Sequence, residues 1–163
     1  MNEPLEVFTH AKPTYAERLA KLAGTIGQLS ASTGGGIPQR LPDAHALAAS
    51  LAMARCGKRD IGPEIVASIY CGTDLWRPRI VSELVSAWMQ TVRAARNYAK
   101  VLPVVAGHAY ECAVYDYERL DLWAENLGIK KPVYTMLVEL GTGMLLTAAE
   151  DCVARAARKY YRD

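Results

Sequence analysis

The chain has 163 residues, of which 51% are hydrophobic and 22% charged, with a formal net charge of +2. A chain of this length buries a core without metals or disulfides, and its apolar content excludes wholesale disorder. The near-balanced charge means that any attraction to nucleic acid must rest on local clustering of lysine and arginine. Cys56, Cys71, Cys112 and Cys152 stand far apart with no CxxC pair. They read as small buried apolar residues in a reducing cytoplasm. The N-terminal MNEPLEVFTH has no basic patch followed by an apolar run. No apolar stretch approaches the roughly 18 to 20 residues of a membrane span, so the expectation is a cytoplasmic protein with no membrane contact.

In chain order, residues 14–29 place Leu19, Leu22, Ala23 and Ile26 at helical spacing, after Thr14 as N-cap and Glu17 at the capping-box position. The stretch SASTGGGIPQRLP at 30–42 has three consecutive glycines and two prolines and reads as a linker before a helical body over 43–163. In that body, Asp43 caps AHALAASLAMARC and Gly57 stops it. Pro63 opens a helix through Ile65, Ile69 and Tyr70 that ends at Gly72. Pro78 opens a longer one, with Ile80, Leu84, Trp88, Val92 and Ala95 at the helical period, running to Pro103. After Gly107 a further run continues to Gly128, and GMLLTAAEDCVARAARKYYRD makes a terminal helix. Two-residue alternation is hardly visible, which predicts an all-α, multi-helix fold.

The stretch LWAENLGIKKPVYTML at 122–137 joins two apolar stripes through a glycine and a lysine pair. Counted over 120–139 it fits a C-terminal helix-turn-helix. Ala124 is the small residue at the crossing, and Gly128 supplies the turn. Trp123, Leu127, Ile129, Tyr134 and Leu137 fall at the buried spacings, and Pro132 opens the second helix. Lys130 and Lys131 then reach phosphates and Thr135 faces the groove, although Val133, Met136 and Val138 are apolar and Glu139 is repelled by phosphate. An ordinary glycine-turn hairpin fits the same apolar positions.

Arg93, Arg96 and Lys100, at spacings of three and four, share one face of the expected helix and form a second basic stripe; a solvated face is the plain alternative. Glu111, Glu118 and Glu125 recur every seven positions with Asp121 among them, an acidic face suited to a basic protein surface. His10, His45 and His108 are scattered, with His108 read as a helix-start residue, and STGGG lacks the lysine of a phosphate loop. Nothing in the pattern asks for catalysis, a metal or a cofactor.

The order of pieces resembles the Q family of bacteriophage late-gene antitermination proteins. LPDAHALAASLAMARCGKRDIGPEIVASIYCG is similar to that family's capped helix, basic turn and second helix, and LWAENLGIKKPVYTMLVELGTGML to its later helix-turn-helix. The chain departs from it where Thr73 to Leu122 separate the two blocks, since that family has a short join. The resemblance implies a regulator that binds double-stranded DNA near a late promoter and contacts RNA polymerase and its sigma factor. It places Lys130, Lys131 and Thr135 on DNA, with the acidic helix and the Gly72–Pro78 turn on the polymerase side. Two rivals stand beside it: a helical protein-binding adaptor or inhibitor, and a small DNA-packaging subunit that forms a ring.

Overall fold

The computed structural model describes residues 14–21, 41–118 and 121–161. Every regular element among them is helical: α1 (15–21), α2 (Leu41–Met53), α3 (Gly62–Cys71), α4 (Arg77–Thr91), a 3-10 helix (Arg93–Tyr98), α5 (Leu102–Tyr115), α6 (Leu122–Asn126) and α7 (Lys131–Tyr160). The all-α expectation holds. Leu22, Ala23 and Ile26 of the expected first helix, and residues 30–40 of the expected linker, lie outside the described residues.

Proline sets most of the helix starts. Pro63, Pro78, Pro103 and Pro132 each sit in the first turn of α3, α4, α5 and α7, where the missing N–H has no intrahelical partner. Pro103, expected to end a helix, therefore begins one. Leu41 and Pro42, expected to close the linker, already belong to α2, so Asp43 lies inside that helix and not ahead of it. At the N-terminus the capping box forms as expected: Thr14 N donates to Glu17 Oε2 at 2.7 Å and Glu17 N to Thr14 Oγ1 at 3.3 Å.

Two expected continuous helices are broken. The run from Pro78 stops at Thr91, because Val92 takes an extended conformation (φ −109°, ψ 103°) and the chain tightens into the 3-10 helix. The run from Gly107 to Gly128 stops at Tyr115, where Asp116 turns left-handed at φ 55°. Aspartate tolerates that region better than most residues. The acidic residues expected to share one helix face are consequently divided: Glu111 is on α5, Glu118 in the connection and Glu125 on α6.

Conversely, the two helices expected after Gly128 are one. α7 spans 30 residues and is the element on which α2, α3 and α5 pack. Its inner face carries Tyr134, Leu137, Val138, Gly141, Leu145, Ala149, Cys152 and Ala156. Gly141 admits a close crossing, since a Cβ there would lie 2.6 Å from Trp88 Cζ2 and 2.8 Å from Ala109 Cβ. Gly62 does the same near the other end, where a Cβ would lie 2.8 Å from Cys152 Cβ. By length and composition α7 is long and apolar enough to cross a membrane, although Gly, Thr and single charges interrupt its apolar residues so that they form no contiguous run in the sequence. Of the cysteines expected to be buried, only Cys152 is; its thiol is pushed up to about 11 by burial, whereas Cys56 and Cys71 are exposed and Cys112 is half-buried.

Candidate nucleic-acid interface

The corner between α6 and α7 is built by a left-handed glycine. Gly128 adopts φ 65°, its N–H bonds Glu125 O at 3.0 Å, and Ile129 N bonds Ala124 O at 3.0 Å. This pair of bonds is a Schellman closure, which satisfies the last carbonyls of α6 within five residues. Ala124 and Ile129 are buried beneath it, as expected, and Leu127 is half-buried. Trp123 departs from expectation and is 42% exposed. It lies on the outer side of the corner, its ring 5.0 Å from the imidazole of His108.

His108 is the residue that the sequence reading misplaced. It stands in mid-α5, with Nδ1 at 3.0 Å from Tyr134 Oη and its ring against Trp123, so one side chain holds both α6 and α7. Burial lowers its pKa, and Arg77 adds to this against the opposing pull of Glu111. A lone histidine after a glycine offers no periodic signal; its role depends on a tyrosine 26 positions later. Beside it lies a cleft of about 370 Å³ lined by residues that include Arg77, Pro78, Val104 and Glu111. The Arg77 guanidinium is committed to Glu111 at 2.6 Å.

Lys130 and Lys131 emerge where α7 begins. Lys130 is the N-cap, with extended backbone (φ −61°, ψ 130°) and an exposed side chain, and no side chain caps the helix. Lys131 Nζ reaches Asp121 Oδ2 at 3.0 Å, tying the start of α6 to the start of α7. Thr135 is half-buried one turn on. Beyond it the outer face of α7 shows Met136, Glu139 and Leu140.

The second basic stripe does not form as expected. Arg93 and Arg96 lie in the 3-10 helix and Lys100 in the turn after it, so the α-helical spacing that aligned them is lost. Arg93 and Lys100 are exposed. Arg96 folds back instead, with Nε donating to Met89 O at 3.0 Å, which caps the end of α4.

Among the described residues, a further gathering of basic side chains lies elsewhere. Glu64, buried at the start of α3, accepts from Arg55 Nη2 at 2.6 Å and Arg79 Nη1 at 2.7 Å on one carboxylate oxygen. Asp60 accepts from Arg155 at 2.9 Å and from the backbone N–H groups of Cys56 and Gly62. Burial acts to raise the Asp60 carboxyl, and these hydrogen bonds with the nearby arginines outweigh it, leaving it below the ordinary range. These arginines fasten the α2–α3 loop to α4 and α7, while Lys58 and Arg59 remain exposed on the same loop. From Lys131 to Arg155 is nearly the whole of α7, about 36 Å at helical rise, so this cluster and the corner are separate surfaces.

The sequence matches no protein-family model, and comparisons with curated proteins and with solved structures return no match.

Proposed function

We propose that the protein is a regulator that binds double-stranded DNA through the α6–turn–α7 corner, used as a helix-turn-helix. The observation that carries this reading is the Schellman-closed turn that presents Lys130 and Lys131 at the uncapped start of a long helix. Uncapped N–H groups and the positive end of the helix dipole favour an anionic oxygen there, and Lys130 adds charge at the same point, while Lys131 would have to leave Asp121 to join it. Phosphate contact is thus the main contribution, with Thr135 reaching the groove; Met136 and Leu140 offer base edges little to bond. By resemblance to antitermination proteins, the regulator acts in the cytoplasm on RNA polymerase and its sigma factor.

A second reading, a protein-binding adaptor, is favoured by a different feature. Met136, Leu140 and Met144 are about two-fifths exposed and fall on one side of α7. A salt-dependent binding titration separates the two, using duplex DNA from the gene's own neighbourhood and an unrelated duplex as control. Binding whose logarithm falls linearly with the logarithm of salt, and which is tighter on the neighbouring DNA, is the expected result. No binding at low salt removes the DNA reading and leaves the adaptor.

A further inference from the structure

DNA docked on the α6–α7 corner makes no use of the cleft of about 370 Å³ beside His108, which falls within the size range of small-molecule sites. Its walls come from the starts of α4 and α5, where Pro78, Val81, Pro103 and Val104 make an apolar lining. Three polar side chains interrupt that lining: Arg77, His108 and Glu111. Gly107 shapes the wall between them. A Cβ there would come within 3.3 Å of Arg77 Nη2, so the glycine lets the guanidinium rest close to the α5 backbone.

Each of the three polar groups uses only part of its hydrogen-bonding capacity. The ion pair joins one guanidinium nitrogen, Nη2, to one carboxylate oxygen, Oε1, at 2.6 Å. A guanidinium also donates from its other nitrogens, and a carboxylate accepts on both oxygens. Arg77 Nη1 and Nε and Glu111 Oε2 therefore have no hydrogen-bond partner among the described residues. His108 bonds Tyr134 through Nδ1, which leaves its Nε2. Both members of the pair stay accessible, with side chains 39% and 29% exposed. Charge is balanced at the cleft. Burial lowers the pKa of His108 and keeps the imidazole neutral near pH 7. The other carboxylate close to Arg77, that of Asp74, accepts from the Tyr110 and Tyr115 hydroxyls and takes no part in the lining. A lone anion or a lone cation is thus attracted by one member of the pair and repelled by the other. A ligand that carries both charges is attracted by both.

We propose that the cleft binds a small α-amino acid zwitterion with an aliphatic side chain. Its carboxylate lies on Arg77, its ammonium on Glu111 Oε2, and its side chain against Val81 and Val104. The two charges of an α-amino acid sit on one carbon, which matches a guanidinium and a carboxylate already held in contact. His108 Nε2 donates a further bond to the ligand carboxylate in the tautomer in which the Tyr134 hydroxyl donates to Nδ1. This site goes beyond the DNA-binding reading and does not depend on it.

A two-dimensional NMR titration of the full chain with L-leucine tests the site. Saturable binding with Kd below about 1 mM is expected, with shifts at the amides of Val104 and His108. 4-Methylpentanoate is L-leucine without its ammonium, and isopentylamine is L-leucine without its carboxylate. Each is expected to bind at least about tenfold more weakly than L-leucine. Glu111→Gln is expected to weaken L-leucine about tenfold and to tighten 4-methylpentanoate, because it removes the partner of the ammonium and releases the guanidinium. A mere loss of stability would not move the two probes in opposite directions. Val104→Asn, at an exposed position, is expected to weaken L-leucine while melting as cooperatively as the parent. Absence of saturable L-leucine binding overturns the site. Binding that both variants leave unchanged lies elsewhere and overturns this cleft, and an analogue that binds as tightly as L-leucine overturns the recognition of paired charges. DNA takes no part in these titrations, so each outcome leaves the DNA-binding reading as it was.

Discussion

Gly141 and Gly143 stand two residues apart on one helix and answer to opposite demands. Gly141→Ala would push a methyl to within 2.6 Å of Trp88 Cζ2, a ring that is itself completely buried. Overpacking of this kind costs typically about 1–3 kcal/mol, more than the gain in helix propensity. Gly143→Ala meets no atom and is expected to stabilise by about 0.5–1 kcal/mol. Chemical denaturation of the two variants checks the pair: a shift of midpoint in the same direction for both would show that the crossing at Gly141 is wrongly placed. Gly128 tests another property, because its surroundings are open and only its φ of 65° excludes other residues. Gly128→Val is expected to lose at least about 1–2 kcal/mol, and a variant as stable as the parent would contradict the left-handed turn.

At the scale of elements, the corner is held by three devices of different kind: the Schellman bonds, the Lys131–Asp121 ion pair and His108. Replacing both Lys130 and Lys131 by alanine is expected to weaken DNA binding and to lower the salt slope by about one unit per lost phosphate contact. An unchanged slope in the titration would show that DNA docks elsewhere. His108 gives the corner a pH dependence. Burial lowers its folded pKa, so below the ordinary histidine value the unfolded chain takes up a proton before the folded one does. Its contribution therefore declines as pH falls from about 6.5 through the lowered folded value. Thermal melts between neutral and mildly acidic pH are expected to show this decline, and His108→Gln to diminish it. A decline of equal size in His108→Gln would assign the effect to other groups.

On the scale of the whole molecule, the α2–α3 loop is fixed by charges that come from three directions. Glu64 receives arginines from the loop and from α4, and Asp60 receives one from α7. Glu64→Ala would remove the shared acceptor and leave Arg55 and Arg79 repelling one another. Both arginines are about one-third exposed, so water screens part of that cost, and a loss of about 1–3 kcal/mol is expected. Denaturant titration measures it; an unaffected midpoint would show that the loop is held by packing alone. Asp60 contributes in the same direction of pH, over a more acidic range. Its folded pKa is below the ordinary value, so its stabilisation is present above about pH 4 and is lost as pH falls through the lowered value.

Local rules, which need only neighbours in sequence, made much of this architecture legible. The Thr14–Glu17 capping box, the helix starts at Pro63, Pro78 and Pro132, the left-handed Gly128 and the burial of Ala124, Ile129, Tyr134 and Leu137 follow from residue type and spacing within one or two turns. Periodicity did not reveal where a helix stops without glycine or proline. Val92 and Asp116 ended two helices that hydrophobic spacing would continue, and α7 ran through glycines that resemble stops. Those outcomes were decided by contacts between distant segments. Trp88 against Gly141, His108 between Trp123 and Tyr134, and Arg155 on Asp60 each join residues at least 15 positions apart. The chain alone determined that it is helical and where most helices begin, because those preferences are local; which glycine faces the core, which arginine caps a helix and which face of α7 is left uncovered depended on the packing of whole helices.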